Sequence, residues 1–234
     1  MPATGVSLPT LEALLRGLGE IWHAFWLPFV ARYSLVYACT KGVNYAMFFW
    51  LPFYLSEVCE LDPGLADGLS VFYDIGQCLG GVIAGSIVDK MAKGKKSIVI
   101  TSFLLLAVIP ILALSLKHSS VVPVTVIIFI AGFLVGGPAN LISAAVCADL
   151  GSQTGIDSNV TASVSGLVDG VASIGAAITQ LTIPLLATGS SWAWLFVAFT
   201  GMLLLAASLL IPVVRKEMAS PSTEEGAIST QMIE

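Results

Sequence analysis

Charge is scarce in this chain. Only 11% of its 234 residues are Asp, Glu, Lys or Arg, while 56% are hydrophobic. A soluble domain carries roughly 25% charged residues, so this chain lacks the polar surface to cover a water-exposed body. Two histidines and four cysteines leave little for metal chemistry. Cys39, Cys78 and Cys147 fall in or at the end of apolar segments and Cys59 lies in a loop, so neither a disulfide framework nor zinc-type spacing is present. Glycine-rich phosphate loops, HExxH and nucleophile-elbow motifs are also missing. An enzyme is therefore not expected, nor a cofactor, a metal or a nucleic-acid partner. The N-terminus lacks a basic stretch followed by a short apolar core, so no cleaved signal peptide is expected.

What is present is long apolar runs. A helix crossing a hydrocarbon core of about 30 Å needs roughly 20 apolar residues. Six runs qualify: about Tyr33–Ser56, Gly68–Val88, Ser97–Leu116, Val121–Ala148, Val160–Ala187 and Trp192–Val214. The expected architecture is an all-α, polytopic membrane protein with six transmembrane helices over 33–214. Residues 215–234 are polar and rich in Ser, Thr and Glu, which predicts a disordered tail.

Residues 1–32 follow another pattern. Leu11, Leu14, Leu15, Leu18, Ile21, Trp22 and Phe25 recur at helical spacing, with Glu12, Arg16, Glu20 and His23 opposite. This predicts an amphipathic helix lying at the membrane interface, with lipid as its partner; a seventh span is disfavoured by Pro9, Pro28 and the charges. Of the ten Lys and Arg, eight (Arg16, Arg32, Lys90, Lys93, Lys95, Lys96, Arg215 and Lys216) fall on one side of a six-span topology. The positive-inside rule then places both termini in the cytosol.

Ionisable residues inside spans are expensive and are read first as functional. Three qualify: Lys41, Asp74 and Asp169. Lys41 is a candidate for binding an anionic substrate, with Asp74 and Asp169 as candidates to balance it; a structural ion pair is the alternative. Asn44 and Tyr45 lie one turn beyond Lys41 and are candidates to contact the same ligand, or to bond neighbouring helices. Gly76/Gly80, Gly81/Gly85 and Gly166/Gly170 are spaced four apart, a pattern that lets helices approach closely. Gly136-Gly137-Pro138 predicts a kink in the fourth span. Between the second and third spans, Gly85, Asp89, Lys90, Gly94, Lys95 and Lys96 form a basic turn. Asp89 sits at a helix C-terminus, where its charge opposes the dipole, so it needs a cation or another helix's N-terminus. Such a contact can hold one conformation and release it in another, making this loop a candidate gate.

That loop resembles the signature motif of the major facilitator superfamily, at the helix 8–9 position. Its longer Gly85-to-Asp89 spacing is similar to the organophosphate:phosphate antiporters. The segment 33–56 around Lys41, together with Tyr73-Asp74-Ile-Gly76, Gly136-Gly137-Pro138-Ala-Asn140, Ala148-Asp149-Leu150-Gly151 and Gly166-Leu-Val-Asp169-Gly170, resembles the sugar phosphate exchangers, solute carrier family 37. The likeness runs from about Pro28 to Val214 and is to the C-terminal six-helix half, with the segment before it resembling the family's central cytosolic linker. It implies a twelve-helix fold with alternating access, exchange of an organophosphate for inorganic phosphate, and an endoplasmic reticulum or lysosomal membrane. It also implies a phosphate-gripping role for Lys41, although the bacterial antiporters' basic residue falls at the position of Asn44.

The expected function is thus secondary active transport of an organic anion. The alternatives are a non-transporting half acting as a membrane interaction or regulatory subunit, or a fragment of a longer gene product. The partner implied is a missing N-terminal half or a second copy forming a homodimer.

Overall fold

A computed structural model describes residues 29–90, 92, 95–116, 120–152, 158–187 and 192–219. The amphipathic segment before residue 29 and the tail after residue 219 lie outside the described residues. Every element is helical. These are α1 (Val30–Glu57), α2 (Pro63–Lys90), α3 (Lys96–Ala113) and α4 (Val121–Asn140). A π-helical turn (Leu141–Val146) continues α4 into α5 (Cys147–Ser152); α6 (Ser158–Ala187) and α7 (Trp192–Ala219) follow. No strand occurs among the described residues.

Five helical stretches there are long and apolar enough to cross a membrane: Pro63–Lys90, Lys96–Ala113, Val121–Asp149, Ala162–Ala187 and Trp192–Ala219. The remaining rod, α1, has 28 residues, about 42 Å at 1.5 Å per residue. It is as long as most of the others but buries Tyr33, Ser34, Thr40, Lys41 and Asn44 among its apolar residues. Composition sets α1 apart, not size.

Local chemistry explains where the rods begin and end. α2 starts at Pro63, five residues before the apolar run. Asp62 accepts a hydrogen bond from the Gly64 N–H at 3.0 Å, and its carbonyl accepts one from Ala66 at 2.9 Å. An Asp cap followed by Pro at the first helical position is a strong helix start. α7 runs on to Ala219, past the expected end at Val214. This extension places the Glu217 carboxylate 3.1 and 3.3 Å from the Ser97 N–H, in the first turn of α3. An acid from one rod therefore caps the positive end of another.

The rods alternate in direction. At one end, Lys216 of α7 lies over the Phe29 ring beside α1, at 4.8 Å, and Glu217 reaches the start of α3. At the other, the Tyr54 hydroxyl donates to the Leu114 carbonyl at 2.7 Å, and Trp192 Nε1 donates to Glu57 at 3.0 Å. Among the described residues the basic side chains Arg32, Lys90, Lys95, Lys96, Arg215 and Lys216 gather at the first end.

The most extensive packing joins α2 to α4, α1 to α6 and α3 to α7. Exchanging the first three rods with the last three, in order, maps the α1–α6 pair onto the α2–α4 pair and the α3–α7 pair onto itself. That is the contact signature of an internal repeat. Sequence neighbours α2 and α3, by contrast, barely touch.

The candidate kink residues Gly136-Gly137-Pro138 lie near the end of α4. These residues are α-helical and buried. A Cβ on Gly136 would strike Gln77, and one on Gly137 would strike the Phe103 ring and Ala84. The irregular turn begins three residues after Pro138. Proline removes one ladder bond and crowds the preceding turn, and the helix widens just beyond it.

Candidate functional site

Tyr37, Lys41 and Tyr45 sit four residues apart on α1 and so share a face. Asp169 and Ser173, also four apart, share a face of α6. The α1–α6 pairing brings the two rows together. Lys41 Nζ lies 2.6 Å from Asp169 Oδ1 and donates to Ser173 Oγ at 2.9 Å. It also stands 5.4 Å from the Tyr37 ring centroid and 5.5 Å from that of Tyr45.

This arrangement explains how an ammonium is tolerated mid-helix. An isolated charge moved from water to a low-dielectric interior loses several kcal/mol. A carboxylate, a hydroxyl and two aromatic faces together replace the lost hydration. Among the described residues two of the lysine's three donors are taken, which leaves one for a ligand oxygen. Access comes from one side. The Lys41 side chain is 8% exposed, that of Asp169 56%, and Ser173 and Tyr45 are exposed too. Charged residues in a membrane span face a water-filled cavity or another protein surface, so this is the face of the bundle turned away from lipid.

The structure brings together only part of the expected site. Asp169 is beside Lys41; Asp74 is half-buried on α2 and makes no ion pair among the described residues. Asn44 is buried and its side-chain oxygen accepts from the Tyr73 hydroxyl at 2.8 Å, tying α1 to α2. Tyr45 stays with Lys41. Tyr37 and Ser173 carry no sequence signal of their own, though both lie one helical turn from a residue that does. That i±4 relation is the pattern that could have found them.

The loop after α2 is likewise redistributed. Gly94 and Lys93 lie outside the described residues. Gly85 has no atom close enough to contact an added Cβ, so no tight approach requires it. Asp89 is exposed and makes no ion pair among the described residues. Lys90 ends α2 and Lys95 precedes α3. Lys96 does find partners: it donates to the Ala145 carbonyl at 2.9 Å and to Asp149 at 2.6 Å. Ala145 belongs to the π turn, where the backbone ladder is out of α register. The basic loop is thus joined to the irregular part of the fourth rod.

An apolar helical bundle with a repeat-like contact pattern and a charged cluster on one face is the form of a secondary transporter domain. The chain belongs to the major facilitator superfamily, whose family profile matches residues 3–165. Among its relatives are sugar phosphate exchanger 3 of Xenopus laevis, 43% identical over 197 residues, and that of Homo sapiens, 40% identical over 203. These alignments cover 83% and 86% of this chain but 39% and 41% of the relatives. A putative glycerol-3-phosphate transporter 1 of Arabidopsis thaliana is 34% identical over 217 residues, covering 89% of this chain and 41% of the relative. The chain therefore spans about two-fifths of the length of the curated relatives it matches. It is an integral, multi-pass membrane protein of this superfamily.

Proposed function

We propose that this chain forms part of a secondary active transporter for an organic anion, exchanging a sugar phosphate or related organophosphate for inorganic phosphate. The observation that carries this reading is Lys41: a nearly buried cation at mid-helix, with one donor free, on the open face of the bundle. The names of the similar proteins support the substrate class. In this reading an incoming phosphate oxygen takes the free donor and then competes with Asp169 for the ammonium. Tyr45 and Ser173 border the bound anion. Asp169 balances Lys41 when the site is empty, so the site need not hold a bare charge between turnovers. Lys96, joined to Asp149 and the π turn, links the loop after α2 to movement of the fourth rod. The basic ends of the rods face the cytosol in this reading, in an endoplasmic reticulum or lysosomal membrane.

One lysine supplies a contact worth about 1.5–3 kcal/mol, too little alone to select a phosphate. Further donors must come from a body seated on the open face. Gly166 and Gly170 on α6 have nothing close to an added Cβ, and Asp169 between them is 56% exposed. This favours a second six-helix body there, either an N-terminal half of the same polypeptide or a second copy. A non-transporting half serving as a regulatory subunit would present the same face.

The test is uptake of labelled organophosphate into phosphate-loaded proteoliposomes by the assembled protein, wild type against Lys41→Ala. Loss of exchange with the fold intact supports the reading; unchanged uptake kinetics defeat it. An antibody to the tail distinguishes the assemblies. On a denaturing gel, an endogenous band near 24.4 kDa requires a copy or partner, and one roughly twice that, as a two-half transporter demands, supplies the cover in cis.

A further inference from the structure

We propose that the cleft between α2 and α3, at the basic end of the bundle, is a binding site for one anionic glycerophospholipid. Helices adjacent in sequence normally lie against each other, yet α2 and α3 diverge and leave a groove of about 450 Å³. Its walls are Ile87 and Ala92 on one side and Ile98, Val99 and Phe103 on the other, with Lys95 also in the lining. In a membrane such an apolar groove is filled, and three observations select the occupant.

The first is charge. Lys95 makes no ion pair among the described residues, and Lys90, exposed at the end of α2, stands at the same end of the bundle. Basic residues above a cleft between membrane helices suit a lipid phosphate. The second is length. Lys95, just before α3, and Val99 and Ser102 on it line the groove, and that side of the helix continues through Leu106 and Ile109, which are 51% and 68% exposed. From residue 95 to residue 106 is about 16 Å along the helix, roughly half of a 30 Å hydrocarbon core. A cation at the top of a leaflet-deep apolar track is the shape of one phospholipid. The third is a contrast within the molecule. A second groove, bordered by Cys39, Ile178, Leu186, Phe199 and Met202, has about 290 Å³ and no charged residue in its lining. It serves as the internal control: it suits an acyl chain but cannot select a headgroup.

The site is separate from the Lys41 cluster, and its occupancy does not depend on what the protein transports. A lipid wedged there would hold α2 and α3 apart and fix the position of the α3 start, where Lys96 and Ser97 meet Asp149 and Glu217.

Native mass spectrometry of the purified assembled protein, titrated with phosphatidylserine or phosphatidylcholine, tests this. The expected result is one phosphatidylserine retained in preference to phosphatidylcholine. Lys95→Gln should reduce that preference roughly fivefold, the effect of one lysine near an anionic headgroup. Ser102→Trp, which fills the groove, should remove the bound lipid, while Thr182→Trp in the control groove leaves the preference unchanged. Lys95→Gln leaves the apolar walls intact, so it reads the site even if the tryptophan variant does not fold. Equal retention of the two lipids by the wild type, or a preference that survives Lys95→Gln, overturns the proposal.

Discussion

Two glycine pairs at the same four-residue spacing behave in opposite ways. Gly76 and Gly80 of α2 lie against the backbone of α4, at Phe129 and Phe133, and Gly132 of α4 returns the contact against Tyr73. A Cβ added to Gly166 or Gly170 of α6 would meet nothing among the described residues, and between them stands the half-exposed Asp169. The first pair is a closed seam in which missing side chains let two backbones meet. The second is an open face, smooth and polar, on a helix whose other side is packed on α1. Identical spacing thus marks the most extensive helix contact in the bundle and an uncovered surface. The seam holds the domain together; the face is where, in the proposed reading, a substrate and a second body would reach Lys41.

Breaking the open face at its charge should have the largest effect. Lys41→Ala is expected to lower organophosphate exchange by about 10- to 100-fold, the loss of one charge-assisted contact, measured as initial uptake rate in proteoliposomes. A thermal unfolding midpoint in detergent close to wild type would show that the site, not the fold, was lost. Breaking the seam comes next. Gly80→Val forces a side chain into the Phe133 backbone and should destabilise the bundle by about 1–3 kcal/mol, seen as a lowered unfolding midpoint. The matched change on the open face sharpens the contrast. Gly170→Val should leave the isolated domain within about 0.5 kcal/mol of wild type yet weaken association with the covering body, readable by cross-linking. Equal unfolding shifts for the two valines would remove the distinction between seam and face. Asp169→Asn keeps the shape but frees the lysine. It should tighten anion binding by a few-fold while slowing exchange, a split between KM and turnover that a purely structural pair would not produce. The smallest effect is expected at Lys96→Gln. Asp149 is 52% exposed, and such pairs contribute about 0–1 kcal/mol, so stability should barely move. Faster amide exchange confined to the π turn is the sign to look for.

Much of this contrast is legible in the residue order. The spans follow from apolar length, and Lys41 and Asp169 stand out because a charge inside a span needs a reason. The pairing is not legible. Asp74 and Asp169 are equally acidic and equally embedded in sequence, and only the packing of α1 on α6 chooses between them. Asn44, adjacent in number to Tyr45, is turned to Tyr73 and spent on holding α2. The start of α2 is readable in principle from Asp62-Pro63, a capping signal that hydropathy alone passes over. The end of α7 is not: Arg215-Lys216-Glu217 reads as solvated tail until Glu217 meets the first turn of α3.

The residue order by itself determined that this is a bundle of membrane helices, roughly where each rod lies, and that a single lysine sits near mid-membrane. Those properties depend on local hydrophobicity and length, which need no knowledge of neighbours. Tertiary structure alone decided which acid neutralises that lysine, which glycines are buried, where the fourth rod leaves α geometry, and which face is open. Each of these depends on a rod's rotation about its own axis and on its partner. Rotation is set by the summed contacts of surfaces far apart in sequence, and no local pattern encodes it.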